Sequence, residues 1–439
     1  MSTDQALWRR VLSNSGLGVL SSAVILLATV WRTVLLGRWL DLQEMGRLFI
    51  CINFYVVFRL LTRIGLSDTL LRFVPAYETS GEASKLSGVV RLCAVVALGL
   101  AVLCIPAFVL AAPWIATAWY GDDRLVLPLQ IFAVNGCLFL LYETCSTLLR
   151  LSNRFALAVL PLAGTSALVP PVLILLHANG GGLDLVEASW TIAMGETVGI
   201  LVIVAIAATT LARGGRLRGG EPLVRVFRRV RGTMFHTSLF GIVRSGSESG
   251  GLFLLGILGG PAQAALFGMA MQLARPLNFL QSSIGNAVAP EMTRLHAEAD
   301  HAGIYRFVNR FVGVGLLLVA AGGLIALPVG EWLVNLLLKP DYLDAIPIFV
   351  ILAVSYGTVL ACNPFLPLAV ARGEMARRNG VACLRFVYLG IAAATGLTAI
   401  SVALVQLAGS LTIRLCNDLP LYLRLRRATL PNPRSLTNP

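Results

Sequence analysis

Residues 88–112 read GVVRLCAVVALGLAVLCIPAFVLAA, twenty-five positions with a single charged side chain, Arg91. At about 1.5 Å per residue a helix of that length rises about 37 Å, and the hydrocarbon core of a bilayer is about 30 Å thick. Such a stretch reads as a membrane-crossing helix. Outward from it, similar apolar runs separated by charged or Gly/Pro-containing breaks lie at about 12–36, 47–71, 126–149, 157–177 and 190–211. Six more follow at about 234–258, 264–289, 311–336, 346–370, 380–398 and 400–423. The 439 residues are 57% hydrophobic and 13% charged, against about 25% charged in soluble globular proteins. A soluble enzyme is excluded, and the expected fold class is all-α: a polytopic membrane protein of about 12 transmembrane helices.

The net charge of +13 comes from 35 basic residues, 33 of them Arg, set mostly in the breaks between apolar runs. That placement speaks for membrane topology and not for nucleic-acid binding. With the N-terminus inside, the inner segments hold 24 basic residues, whereas the outer loops hold Arg38, Arg47, Arg124 and Lys339. Both termini are therefore expected in the cytoplasm. The first run follows Trp8, Arg9 and Arg10 but is too long for a signal peptide and lacks an Ala-x-Ala cleavage site, so it is read as a retained span. Seven arginines (Arg32, Arg59, Arg63, Arg244, Arg275, Arg385 and Arg414) fall inside the spans, where each costs about 2.5–3.5 kcal/mol on insertion scales.

Residues 212–232 carry seven arginines and divide the spans six and six. The organisation expected is an N-terminal six-helix lobe (1–211), a basic cytoplasmic linker (212–232), a C-terminal six-helix lobe (233–423) and a cytoplasmic tail (424–439). Leu223, Val226, Phe227 and Val230 recur at helical spacing, so the linker can lie along the inner leaflet with its apolar side down; a solvated basic loop is the alternative. Leu35-Leu36-Gly37 and Leu254-Leu255-Gly256 recur at an offset of 219, and Pro75 and Pro290 at 215, a weak repeat suggesting two lobes related by pseudo-two-fold symmetry. The eight cysteines lie in apolar stretches without Cys-x-x-Cys spacing, and His296 with His301 lacks the further ligands a metal needs. No metal site is expected.

Leu35-Leu36-Gly37-Arg38-Trp39-Leu40, leading to Glu44-Met45-Gly46, and Gly65-Leu66-Ser67-Asp68-Thr69-Leu70-Leu71-Arg72-Phe73 resemble the first two spans of polysaccharide transporters. These are lipid-linked oligosaccharide flippases of the O-antigen type, within the multidrug, oligosaccharidyl-lipid and polysaccharide export superfamily. Span count, length and the basic inter-lobe connection extend the resemblance over nearly the whole chain. It implies two six-helix bundles forming a V, alternating access, and a glycan on polyprenyl diphosphate as substrate. It also implies a bacterial cytoplasmic (inner) membrane location, service to cell-surface polysaccharide such as lipopolysaccharide, and a polysaccharide polymerase and glycosyltransferases as partners beside membrane lipids.

In the second span Arg59 and Arg63 are four apart, on one helical face, near the midplane and just below it. Forked guanidiniums suit the diphosphate oxygens of such a lipid; pairing with acids such as Glu143 is the bland alternative. Arg275, beside Pro276 and Asn278 in the eighth span, matches by span the position from which the resemblance implies headgroup contact. In the seventh span Arg244 and Glu248 are four apart among Ser and Gly residues, either a packing seam or a switch in which anionic substrate takes Arg244 and released Glu248 binds a proton. Arg32 can snorkel or reach a cavity. Glu143 and Glu196 are candidates for ion coupling or for partnering arginines, Arg385 for snorkelling, and Arg414 with Asp418 for a structural pair. No resident cofactor is expected; a coupling proton or sodium ion is left open.

Five embedded arginines against Glu143, Glu196 and Glu248 favour an anionic substrate over the cation or drug substrates of an antiporter. A polyprenyl-linked glycosyltransferase or polymerase, using acids such as Asp41 and Glu44, is disfavoured by short outer loops, and no Gly-x-x-x-x-Gly-Lys-Ser/Thr motif is present. The chain is expected not to be an enzyme. The orientation is testable: a lone cysteine placed within 212–232 should react with an impermeant maleimide only after the membrane is opened, and labelling from outside intact cells would reverse it.

Overall fold

The apolar runs become helices because a backbone in hydrocarbon must satisfy its own hydrogen bonds. The computed structural model describes residues 3–429 except 63, 181, 214–219, 299 and 373, and no strand occurs among the described residues. In chain order the helices begin with α1 (Thr3–Trp39), α2 (Leu42–Thr62), α3 (Leu66–Thr79), α4 (Ala83–Tyr120), α5 (Val126–Leu151), α6 (Phe155–Gly180), α7 (Leu185–Arg213) and α8 (Leu223–Leu258). They continue with α9 (Gly260–Ala297), α10 (His301–Leu337), α11 (Ala345–Ala361), α12 (Phe365–Ala371), α13 (Met375–Ala382), α14 (Leu384–Thr395), α15 (Ala399–Ile413) and α16 (Leu419–Thr429). Among the described residues seven helical stretches, the last running from α15 through α16, are long and apolar enough to cross a membrane by length and composition alone. Leu98, Val102, Leu103, Leu110 and Trp114 of α4 and Leu317, Leu318, Leu324 and Trp332 of α10 stand exposed, as lipid-facing side chains must. The protein is all-α and multi-pass.

Two expected spans are interrupted. The run at 47–71 divides where Gly65 takes φ +54 ahead of α3, and that at 346–370 divides at Cys362–Pro364. The first break places Arg59 in the last turn of α2, where a cation complements the helix dipole. Helix α4 closes on Gly121, whose φ of +63 lets its N–H cap Thr117 while the following N–H returns to Ala116. The same helix contains Pro113, which has no N–H to give Val109 four residues back. Gln130 Nε2 on α5 donates to that Val109 carbonyl instead, at 3.1 Å.

Packing divides the chain into two compact units, Met1–Ala265 and Leu266–Pro439. The division falls 33 residues beyond 232, the end of the expected linker, because α8 packs on α2, α3 and α4. Asn53 of α2 donates to the Ser249 carbonyl at 3.2 Å. The apolar stripe of the linker is the first part of α8. Val226 and Val230 are wholly buried with Val89, Val90 and Val74, and Leu223 packs beside them. Only Phe227 is exposed. The stripe thus meets protein and not the leaflet surface, since neighbouring helices offer a complementary apolar face. Outside it, Arg229 bonds Glu221 at 3.1 Å and reaches the Tyr77 hydroxyl. The tail beyond Thr429 lies outside the described residues.

Gly46 shows how tightly the first unit is built: a Cβ there would sit 1.8 Å from the Pro261 carbonyl oxygen. Gly46→Val should lower the melting temperature in detergent, by the equivalent of about 1–3 kcal/mol for overpacking. An unchanged melting temperature would show that this approach does not hold.

Candidate functional site

Four helices of the first unit bring a set of polar side chains into their apolar interior. Arg59, near the end of α2, is half-buried, its Cζ 4.0 Å from the Phe139 ring centroid and 5.8 Å from that of Tyr55. Tyr55 precedes Arg59 by one helical turn, and Phe139 of α5 meets it edge-on at 6.4 Å. A guanidinium on an aromatic face gains attraction without a second formal charge. Glu143 follows Phe139 by one turn and is half-buried. Its carbonyl accepts from Ser67 Oγ at 3.3 Å, tying α3 to α5. The buried Tyr55 hydroxyl lies within electrostatic reach of Arg59, Glu143 and Glu196, with Arg59 near enough to share a hydrogen bond.

Arg32 of α1 pairs with Glu196 of α7, N–O 3.7 Å, with 12% and 23% of the two side chains exposed. The candidate substrate cation Arg32 and the candidate coupling acid Glu196 therefore balance one another. The arithmetic of five cations against three acids loses one from each side. Beside them the buried Asn135 of α5 donates to Ala193 O at 3.1 Å and to Thr197 Oγ1 at 3.2 Å, anchoring the middle of α7. Arg32, Arg59, Glu143 and Glu196 are thus gathered in one unit, with Tyr55, Phe139 and Asn135, which the sequence reading passed over. For two of the four, an aromatic residue one turn earlier (Tyr55 before Arg59, Phe139 before Glu143) was the signal available.

Arg275 belongs to the second unit, exposed on α9, which runs through Pro276 without ending. Arg63 and the side chains of Arg244 and Glu248 lie outside the described residues. Elsewhere in the second unit Asp418 is 2% exposed. It takes Arg378 Nη1 at 2.5 Å and Arg414 Nη1 at 2.7 Å, across a π-helical turn at Arg414–Asp418. The expected Arg414–Asp418 pair is present and carries a third member. Arg385 lies along Gly409 of α15, where an added Cβ would meet its side chain at 2.3 Å. Outside these clusters Arg47, expected in an outer loop, is in α2 and bonds Asp122 at 2.6 Å. No group of three His, Cys, Asp or Glu able to hold a metal occurs among the described residues.

Long apolar helices with ionic clusters sheltered inside them define a multi-pass membrane protein. A sequence profile described as polysaccharide biosynthesis protein matches residues 11–296, more than half of the chain, and the chain belongs to that family. No curated protein matches its sequence. Among solved structures it is similar to a lipid II flippase, MurJ, in an inward closed conformation (TM-score 0.65, 14% identity, 92% of this chain and 89% of that one). It is also similar to an inward-facing multidrug resistance MATE transporter of the MOP superfamily (TM-score 0.63, 13% identity, 93% and 96%). A third, from Pyrococcus furiosus, is a MOP superfamily transporter reported with reversed polarity of its binding pocket (TM-score 0.60, 13% identity, 96% of each chain).

The Arg32–Glu196 pair can be weighed by a double-mutant cycle. Arg32→Met or Glu196→Gln alone should each lower thermal stability by about 1–2 kcal/mol, less than the 3–5 for a fully buried pair. The double variant should recover most of that loss. Additive losses would show that the two side chains do not interact.

Proposed function

We propose that the protein is a flippase carrying a polyprenyl-diphosphate-linked oligosaccharide from the inner to the outer leaflet of the bacterial cytoplasmic membrane, by alternating access, for cell-surface polysaccharide assembly. The observation that carries the reading is Arg59, a cation held among the helices of the first unit on two aromatic faces. Membership of the polysaccharide biosynthesis family and a fold shared with a lipid II flippase support the substrate class. In this reading Arg59, Arg63 and Arg275 take the diphosphate, whose oxygens match forked donors. Arg244 assists them, and Arg32 is released to the substrate only when Glu196 gives it up. The two lobes, both termini inside, and a polymerase and glycosyltransferases that handle the same lipid belong to this proposal. The protein moves the glycan and forms no glycosidic bond.

A coupling ion, a proton or sodium, would use Glu248, Glu143 or Glu196. The Glu196–Arg32 pair gives this a physical form, since protonating Glu196 frees Arg32 for an anion. The same acids favour the second reading, a cation or drug antiporter, and the variants separate the two. In proteoliposomes at matched protein level, Arg59→Ala should slow flipping of lipid-linked glycan by at least about tenfold, with Arg59→Lys partly active because Lys lacks the planar fork. An antiporter instead tolerates loss of Arg59 and fails with Glu143→Gln or Glu196→Gln. Normal flipping by Arg59→Ala, Arg63→Ala and Arg275→Ala would remove the diphosphate site.

For the seventh span, Glu248→Gln should keep substrate binding and lose the pH dependence of transport, because Gln keeps the shape and does not titrate. Persistent pH dependence with lowered stability would make Arg244 and Glu248 a packing pair.

A further inference from the structure

A cavity of about 1020 Å³ lies wholly within the second unit, between α9, α10 and α11, and none of the candidate site residues lines it. Leu277 and Ile284 of α9, Val314 and Val319 of α10, and Phe349 and Leu360 of α11 give it apolar walls. Leu295 of the lining belongs to, and Ile284, Phe307 and Phe311 pack against, the buried cluster of Val288, Met292, Ile304, Val308, Phe365 and Leu368. Glycines shape the rest. Gly315 brings α10 so near α11 that an added Cβ would lie 2.6 Å from Ala361 Cα, whereas Gly322 has nothing within 4 Å of its Cβ position. Both line the groove, the first at a close approach of helices and the second beside open space.

The charged residues on the wall are Arg306 and Arg310, one turn apart on α10 near where α9 gives way to it, with no acidic side chain beside them in the lining. Both are exposed. Arg306 Nε donates to the Ala302 carbonyl at 3.4 Å, within its own helix. Two guanidiniums four residues apart match a phosphate or diphosphate group.

Length identifies the occupant. From Arg306 to Val329 the lined face of α10 extends about 35 Å at about 1.5 Å per residue, the full hydrocarbon thickness of about 30 Å and more. A glycerophospholipid occupies one leaflet and would fill about half of it. An isoprenoid chain longer than a leaflet, ending in a phosphate or diphosphate, fits both the length and the charge.

We propose that this groove seats the polyprenyl tail of the lipid-linked substrate, with its diphosphate on Arg306 and Arg310 when the headgroup is at that end of the helix. The inference deepens the flippase reading and rests on it for the kind of lipid involved. It adds a second anion site, built by other helices than the Arg59 cluster, at which the lipid is held by its tail.

The test uses the full chain in phosphatidylcholine nanodiscs, with a long-chain polyprenyl diphosphate bearing no glycan and with farnesyl diphosphate, binding being read by native mass spectrometry. Gly322→Trp fills the groove and should weaken long-chain binding by about tenfold or more, the loss of a few buried methylene contacts. Farnesyl diphosphate should be held as before. The Arg306→Ala/Arg310→Ala double variant should weaken both lipids, Gly322→Ala neither, and phosphatidylglycerol should not compete. Wild-type long-chain binding by Gly322→Trp overturns the proposal, and displacement by phosphatidylglycerol makes the groove a phospholipid seat. Should Gly322→Trp fail to fold, a photoreactive residue at Phe311 serves instead: a crosslink to the long-chain lipid supports the groove and its absence overturns it. Wild-type protein that binds the lipid but flips no glycan sinks the flippase reading alone. Normal flipping with long-chain binding indifferent to Gly322→Trp sinks the groove alone.

Discussion

Everything polar in this protein answers to the cost of a charge in hydrocarbon. A guanidinium at mid-membrane is tolerated when another group compensates it, and the described arginines show three forms of compensation. Arg32 has an opposite charge in Glu196, 3.7 Å away. Arg59 has aromatic faces. Arg378 and Arg414 share one buried carboxylate. The three differ in what they can release. A shared carboxylate fixes helices to one another, a one-to-one pair can be broken by a competing ion, and a stacked cation is held by ring faces without a counter-charge.

This sorting assigns the two units different parts. In the first, the Arg59 and Arg32–Glu196 groups sit where α1, α2, α5 and α7 converge, so the cations and the acid bear on the same helices. In the second, the Asp418 triad binds α13 to the π-helical turn between α15 and α16. The long groove beside α10 there presents two arginines at one end and hydrocarbon along the rest. A lipid-linked substrate has the same division, an anionic head that must be held by donors and a tail that needs only shape.

The class of fold was legible in the sequence because hydrophobic length and arginine placement survive any detail of packing. Arg414 with Asp418 was legible too, being one helical turn apart, although Arg378, 40 residues away, was not. Arg32 and Glu196 are 164 positions apart, and no local pattern joins them. The break before α3 was hidden because Gly65 lies in an otherwise apolar run, and only its left-handed backbone shows that the run is two helices. The stripe of Leu223, Val226 and Val230 was read with the right period, but periodicity says that a face is apolar without saying whether lipid or protein covers it. The aromatic setting of Arg59 depends on α5 and so appears only with the tertiary fold.

The bond from Gln130 to the Val109 carbonyl carries a consequence for how such a chain can change over generations. Pro113 strips one carbonyl of its donor, and Gln130 on the next helix supplies a replacement. Proline thereby makes the glutamine necessary, and the glutamine makes the proline harmless. Replacing Gln130 with an apolar residue would strand a carbonyl in lipid, yet the same replacement would cost little in a chain whose residue 113 had already regained its N–H. The two positions are historically contingent on each other, open to drift in one order of substitution and closed in the other.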